Sequence, residues 1–376
     1  MARTITYMKA INEALDQEMS RDPTVVVFGE DNVGGHGAAG ELDAWGGVLG
    51  VTKGLYPKYP DRILDTPISE SAFSGAAVGA ACSGLRPVAE LMIVDFMGVC
   101  FDQIFNQGAK LRYMFGGKAE VPMVIRTMWG AGIRAASQHS QSLYSIFTHV
   151  PGLKVAVPST PYDAKGLLIS AIRDDDPVIY FENKVLYTIE GEVPEESYTI
   201  PFGEANVVRE GDDVSIVGVG RVVHMAQEAA ERLAADGIQC EIVDLRTTSP
   251  LDEDTIYETV EKTGRLVVVD EDNPRCGMAA DIAALVAQNC FDDLRAPVQM
   301  VTAPHTPPPF TGSLEDLYVP SADKIAEAVR KTTGGKVGQG HDRRRGDAAG
   351  PDQARHAQVG PVHAPGKGHR LAGRGG

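Results

Sequence analysis

Short apolar runs alternate along the chain with segments whose apolar positions recur at helical spacing. TVVVFGE (24–30), RPVAELMIV (86–94), VPMVIRT (121–127), LKVAVPS (153–159) and PVIYFE (177–182) predict strands. Several of them are apolar throughout, as strands of a parallel sheet covered on both faces must be. Between them, FDQIFNQGAKLRYMF and TPYDAKGLLISAIRDD carry helical spacing, and the second has Ser159 or Thr160 with Pro161 as its start. The opening MARTITYMKAINEALDQEMS begins as an amphipathic helix. Residues 188–212 mix Gly, Pro and acids with no sustained period, which predicts a linker with some strand content.

A second series follows, in which DVSIVGVG, QCEIVDL, RLVVVDE and APVQMVTA predict strands. RVVHMAQEAAERLAADG, DEDTIYETVEKTG, GMAADIAALVAQNC and SADKIAEAVRKTT predict the helices between and after them. The expected fold class is therefore α/β, with two doubly wound domains and mostly parallel sheets. Their boundaries are placed at 1–187 and 205–333, with a linker over 188–204 and a separate tail over 334–376.

Composition narrows the function classes. The chain has 376 residues, enough for two cores, and 43% hydrophobic content. Its five cysteines are scattered, with no CxxC pair and no Cys/His cluster at zinc spacing, which fits a reducing cytoplasm. There is no apolar run of membrane-spanning length and no basic-then-apolar leader, so a membrane or secreted location is not expected. The net charge of −16 would repel nucleic acid. It also hides an asymmetry: residues 336–376 carry eight Lys or Arg against three Asp, leaving the body at −21. That acidic body reads either as a solvated surface or as a docking face for a basic partner.

The candidate chemistry starts at DTPISESAFSGAAVGAA (65–81), where Glu70 precedes a run of small residues and Ser69 is placed to cap a helix. Taken alone, a first-turn acid is explained by the helix dipole. It has company in GED (29–31), VDFMGVCFDQIFNQGAKLRYMFGG (94–117), QHSQS (138–142) and PGLKVAVPSTPYDAKGLL (151–168). In that order and spacing, from about residue 4 to about residue 333, the chain resembles the beta subunit of the thiamine-diphosphate-dependent first component of 2-oxo-acid and acetoin dehydrogenase complexes. ELDAWGGVLGVTKGLYPKYPDRILDTPISE and FMGVCFDQIFNQGAKLRYMFGGK look most like the acetoin-cleaving branch. The resemblance implies a transketolase-like pyrimidine-binding domain followed by a transketolase C-terminal-like domain.

It also implies roles for single residues. Glu70 would hydrogen-bond the aminopyrimidine nitrogen of thiamine diphosphate, and burial among Ala and Gly would raise its pKa to suit. Phe96 would stack on the pyrimidine, Glu30 would be a second acid near the subunit contact, and His139 would face the reacting carbon, oriented by Ser140 and Gln141. Without the resemblance, Phe96 reads as core, Glu30 as a solvated strand end and His139 as a solvated loop residue. The carbonyls of Ala171 and Ile172, with Asp174 and Asp176, match a monovalent-cation (K⁺) loop of some relatives, and read equally as a helix C-terminus with acids. Cys276 stands where many relatives have Gly, which bears on local backbone geometry.

No GDG stretch for Mg²⁺ and diphosphate is present. The resemblance thus implies half a site, completed by an alpha subunit in an α₂β₂ heterotetramer, with a lipoyl acyltransferase component as further partner. Two other readings compete: a noncatalytic assembly subunit, and a dinucleotide binder built on GVGRVVH (218–224), which supplies only GxG. The tail lacks aliphatic periodicity and is expected to be disordered. Reverse-translated and read one base later, residues 352–376 permit a sequence resembling the start of a lipoyl domain, which would make the tail a frameshifted segment.

Overall fold

In a computed structural model of the chain, residues 2–34 and 46–334 are described. The tail, apart from Gly334, and part of the ELDAWGG segment lie outside the described residues.

The chain opens with strand β1 (Ala2–Thr6) where a helix was expected. ARTIT has an extended, β-branched alternation, and the Thr6 hydroxyl then accepts the Lys9 amide at 3.2 Å, so helix α1 (Tyr7–Arg21) starts behind a proper N-cap. There follow β2 (Val25–Gly29), β3 (Ile63–Asp65), α2 (Glu70–Cys82), β4 (Arg86–Ile93), α3 (Leu111–Met114), β5 (Val124–Trp129), α4 (Tyr144–Thr148), β6 (Lys154–Ala156), α5 (Pro161–Arg173), β7 (Val178–Asn183) and β8 (Glu190–Pro194). The second half holds β9 (Asn206–Arg209), β10 (Val214–Gly218), α6 (Val222–Ala235), β11 (Cys240–Asp244), β12 (Thr247–Ser249), α7 (Glu253–Thr263), β13 (Leu266–Asp270), α8 (Met278–Asn289), β14 (Gln299–Thr302), α9 (Gly312–Tyr318) and α10 (Ala322–Thr332).

These strands make a seven-stranded sheet in the order β12-β6-β7-β5-β4-β2-β3 and a five-stranded sheet in the order β14-β13-β10-β11-β9. All pairings in the first are parallel except β12 on β6, and all in the second are parallel except β9 on β11. Strands β5, β7, β10, β11 and β13 are buried at every position, which is why their sequences are mostly apolar and why the charged residues among them, such as Arg126 and Glu182, are paired. Helix α5 starts where Thr160 and Pro161 place it, with the Thr160 hydroxyl accepting the Asp163 amide.

Besides β1, other segments depart from the sequence reading, three of them in how the sheets are built or a helix is broken. Strand β8 lies within the expected linker and pairs antiparallel with β1, Ala2 facing Pro194. FDQIFNQGAKLRYMF is not one helix but a π-helical turn over Gln103–Gly108 and the short α3, with Gly108 buried at the break. Strand β12 comes from the second half yet completes the first sheet, Thr247 facing Ala156.

One hydrophobic cluster runs from Ile125 and Phe181 of the first sheet through Trp129 and Tyr144 to Val217 and Val268 of the second. The second glycine of GVG serves this contact. A Cβ at Gly220, whose φ is +67°, would meet the Trp129 ring at 2.8 Å. The motif therefore lets the domains approach, and Arg221 beside it is spent on a buried ion pair with Glu271.

Candidate active site

The parallel order of β3, β2 and β4 brings the ends of three strands to one edge of the sheet, where open α/β sheets bind ligands. Glu30 follows β2 directly, and the Gly29 carbonyl accepts the Thr66 amide at 2.8 Å, which ties the approach to α2 against that strand end. Glu30 is only 8% exposed, and its Oε1 has no hydrogen-bond partner. Burial pushes its carboxyl pKa up, and the charges of Glu70, Asp31 and Glu90 act in the same direction. Glu30 and Glu70 therefore share one local field.

Glu70 is the first residue of α2, and the Ser69 side chain makes no cap bond there. The expectation that Glu70 is buried among Ala and Gly is corrected: its side chain is half-buried, because Ala72, Ala76 and Gly79 on the same helix are themselves exposed. Helix α2 thus presents a face of small residues outward. The Ser71 hydroxyl donates to the Val99 carbonyl at 2.6 Å, joining the first turn of α2 to the 3-10 turn Val94–Gly98 that carries Phe96.

The Phe96 ring meets His139 edge-on, with ring centres 5.4 Å apart and an interplanar angle of 84°. Ser140 and Gln141 do not orient the histidine ring as expected. Gln141 Nε2 donates to Asp95 Oδ1 at 2.7 Å, and the buried Ser140 hydroxyl has no partner. The loop is held by its backbone, since Lys184 Nζ donates to the His139 carbonyl and the Gly130 amide donates to the Gln141 carbonyl at 3.0 Å. Lys184 is buried, which lowers its pKa, although Asp95, Glu271 and Glu315 oppose that shift. Sequence reading missed Lys184; as the residue after an apolar strand, it gives no sign that the chain folds it under the QHSQS loop.

A second missed group holds Glu90, whose charge acts on Glu30. Arg126, 1% exposed on β5, donates to Glu182 at 2.7 and 3.0 Å and to Glu90 at 2.8 Å, while the Tyr187 hydroxyl donates to Glu182 at 2.6 Å. Burial alone would lower the Arg126 pKa, but Glu182 and Glu90 outweigh it and hold the guanidinium charged.

The cation-loop residues lie elsewhere, at the end of α5. The Ile172 and Asp174 carbonyls accept from Arg86 at 3.1 and 2.8 Å, the Ala171 carbonyl accepts the Asp174 amide at 3.3 Å, Lys154 pairs with Asp174 at 2.7 Å, and Arg112 pairs with Asp176 at 2.5 Å. The protein's own cations take all of these oxygens but that of Ala171, which a backbone amide takes. Among the described residues no three His, Cys, Asp or Glu side chains are grouped to hold a metal ion. Cys276 has a φ of +56°, the left-handed conformation that glycine adopts more readily.

Comparison with known proteins identifies the lineage of this arrangement. The family model for the transketolase pyrimidine binding domain matches residues 3–190, and that for the transketolase C-terminal domain matches residues 203–325. The chain is 68% identical over 337 residues to the acetoin:2,6-dichlorophenolindophenol oxidoreductase subunit beta of Cupriavidus necator, covering 89% of this chain and all of that one. To the protein of the same name from Bacillus subtilis it is 57% identical, covering 89% and 98%. A pyruvate dehydrogenase E1 component subunit beta from Rickettsia felis is 46% identical, covering 87% and 98%. Among solved structures, a split-gene transketolase described as an inactive beta4 tetramer shares the fold, with a TM-score of 0.71, 22% identity and coverage of 89% and 99%. The two matched domains and the close relatives place this chain in the transketolase-like family of dehydrogenase beta subunits.

Proposed function

We propose that this chain is the beta subunit of a thiamine-diphosphate-dependent acetoin dehydrogenase, half of an α₂β₂ catalytic unit that passes a two-carbon fragment to lipoamide on an acyltransferase component. The observation that carries the reading is the pairing of Glu30 and Glu70: a buried carboxyl with one unpartnered oxygen beside a half-open acid, at the sheet edge and tied to Phe96. Such a set suits a heteroaromatic ring with nitrogen atoms at its rim. The outward small-residue face of α2 suits the close approach of a second chain or of a flat ring, and nothing in this donor set suits a diphosphate and Mg²⁺, which we assign to the alpha subunit.

Bound there, the coenzyme would supply a nucleophilic carbon able to cleave the bond next to a carbonyl. The chain's own residues do the proton work. Glu70 would hold a hydrogen bond to a ring nitrogen, and the carboxyl pKa of Glu30 beside it is raised, by burial first and then by the charge of Glu70. Phe96 offers an apolar ring face, and His139, fixed edge-on to it, moves a proton at the substrate oxygen. Acetoin is favoured over pyruvate or a branched 2-oxo acid because the relatives of higher identity are named for acetoin. A cytoplasmic site fits five free cysteines and the fact that no described helix is long and apolar enough to cross a membrane. The acidic body would dock a basic segment of the acyltransferase, with affinity falling as salt rises. K⁺ at the end of α5 would have to displace Arg86.

The test is steady-state turnover of the chain reconstituted with its alpha subunit, thiamine diphosphate and Mg²⁺, with acetoin and pyruvate as competing substrates. A higher kcat/KM for acetoin is expected; preference for pyruvate would make the chain a 2-oxo-acid dehydrogenase beta subunit instead, and tight coenzyme binding by the beta chain alone refutes the half-site.

A further inference from the structure

The loop from β5 to α4 carries His139 and is bent by left-handed backbone at Gly130, Gly132, Arg134 and Ala136, with φ values of +92°, +118°, +62° and +62°. Arg134 and Ala136 lack the freedom of glycine, so this form persists only where the surroundings impose it. The surroundings are two carboxylates of the second domain. Glu271, fully buried just after β13, accepts the Ala131 amide at 2.9 Å and is itself fixed by Arg221, which donates twice at 2.7 and 2.8 Å. Glu315, fully buried in α9, accepts the Gly132 amide at 2.9 Å, the Arg134 amide at 3.2 Å and the Arg134 guanidinium. The fit is close: a Cβ at Gly130 would meet Glu271 Oε1 at 2.9 Å, and one at Gly132 would meet Arg221 Nη1 at 2.5 Å. Further along, the Ser137 hydroxyl donates to the Pro308 carbonyl at 2.6 Å.

We propose that Glu315 and Glu271 are positioning residues for His139: through two buried carboxylates the second domain dictates the backbone of residues 131–134, and so the direction in which the histidine ring faces. The Gly130 to Gln141 bond closes the loop at its neck, so a shift at its carboxylate-bound arm is passed to residue 139 instead of being absorbed beyond it. The buried Lys184 holds the His139 carbonyl from the first domain, while Glu315 and Glu271, with the Pro308 carbonyl on Ser137, are the grip of the other domain. This inference rests on the role given to His139 above.

Glu315 is the residue to test, because removing Glu271 would also strand Arg221. In the full chain, hydrogen exchange of peptides spanning residues 131–139 and the ring NMR signal of His139, assigned by its loss in His139→Gln, are compared between wild type, Glu315→Gln and Glu315→Ala. In Glu315→Ala the loop amides should exchange at least ten-fold faster with the central strands unchanged, and the His139 signal should shift or broaden. After reconstitution with the alpha subunit, kcat should fall at least ten-fold with KM for acetoin changed less than three-fold. Glu315→Gln keeps one acceptor oxygen and should fall between, and it decides the matter if the alanine variant does not fold. An unchanged His139 signal, unchanged loop exchange, or a kcat loss that only follows the folded fraction would overturn the proposal. If the wild type turns over neither acetoin nor a 2-oxo acid, the functional reading fails, while exchange and the His139 signal still decide the positioning claim.

Discussion

His139 and Phe96 meet edge to face across two loops, 5.4 Å between ring centres, and the residues beside them, Gln141 and Asp95, are joined by a 2.7 Å hydrogen bond. The two contacts make one hinge-free junction between the turn after β4 and the QHSQS loop. His139→Gln should therefore keep the fold and lower kcat by roughly 10² to 10⁴, the range for a lost acid or base. Phe96→Ala should act differently, weakening coenzyme binding in the reconstituted enzyme. Calorimetric titration beside steady-state kinetics separates the two, and equal effects on both quantities in both variants would contradict the division of roles.

Glu30 and Glu70 should also part company. Glu70→Gln is expected to cost roughly 10² to 10⁴ in turnover with little change in stability. For Glu30 the folded pKa is raised, so its stability contribution is fully present below the ordinary carboxylate range and lost as pH rises through the folded value. Glu30→Gln should then gain stability relative to wild type on going from pH 4 to pH 8, seen as a rising difference in thermal midpoint. A flat difference would place Glu30 in contact with solvent.

Arg126 is the centre of a buried charge cluster with Glu182 and Glu90. Replacing it with Met strands Glu182 and Glu90 without their guanidinium, and breaking a buried ion pair by removing one partner costs about 3–5 kcal/mol. Urea unfolding should show a loss of that order, larger than for Tyr187→Phe, which removes one hydrogen bond worth about 1 kcal/mol.

A fourth expectation concerns Asp244 at the end of β11, fully buried and bonded by the Ser159 hydroxyl across the domain boundary. Burial first, and then the charge of Asp163, pushes its pKa up to about 7. Protonation therefore favours the folded chain, and wild-type stability measured against Asp244→Asn should decline as pH rises from 4 toward 7. The slope is at most about 1.4 kcal/mol per pH unit, and the difference should level off above that range. Chemical denaturation at several pH values reads it directly.

Central strands such as β13 were legible because burial on both faces writes itself as a run of apolar residues, as in LVVVD. Helix α5 was legible because Thr160 and Pro161 mark its start. Strand β12 was not, since TTS carries no apolar signal and owes its pairing to a partner, β6, far back in the chain. At the site, Glu30, Glu70, Phe96 and His139 stood out as motif residues, but no local pattern reports that Gln141 turns to Asp95 or that Glu315 lies beneath Gly132. Such contacts depend on how two domains meet, and spacing along one segment does not encode that.

The borrowed strand β12 bears on how the chain is made. At synthesis the first sheet cannot close its β6 edge until Thr247–Ser249 has cleared the ribosome, well after its own last strand has emerged. Through that interval the nascent protein carries an unpaired edge with buried-type side chains beside it, the kind of surface that recruits neighbouring chains. Slower translation across residues 190–250 should thus lengthen that exposure, and chaperone supply during it should raise the yield of usable protein.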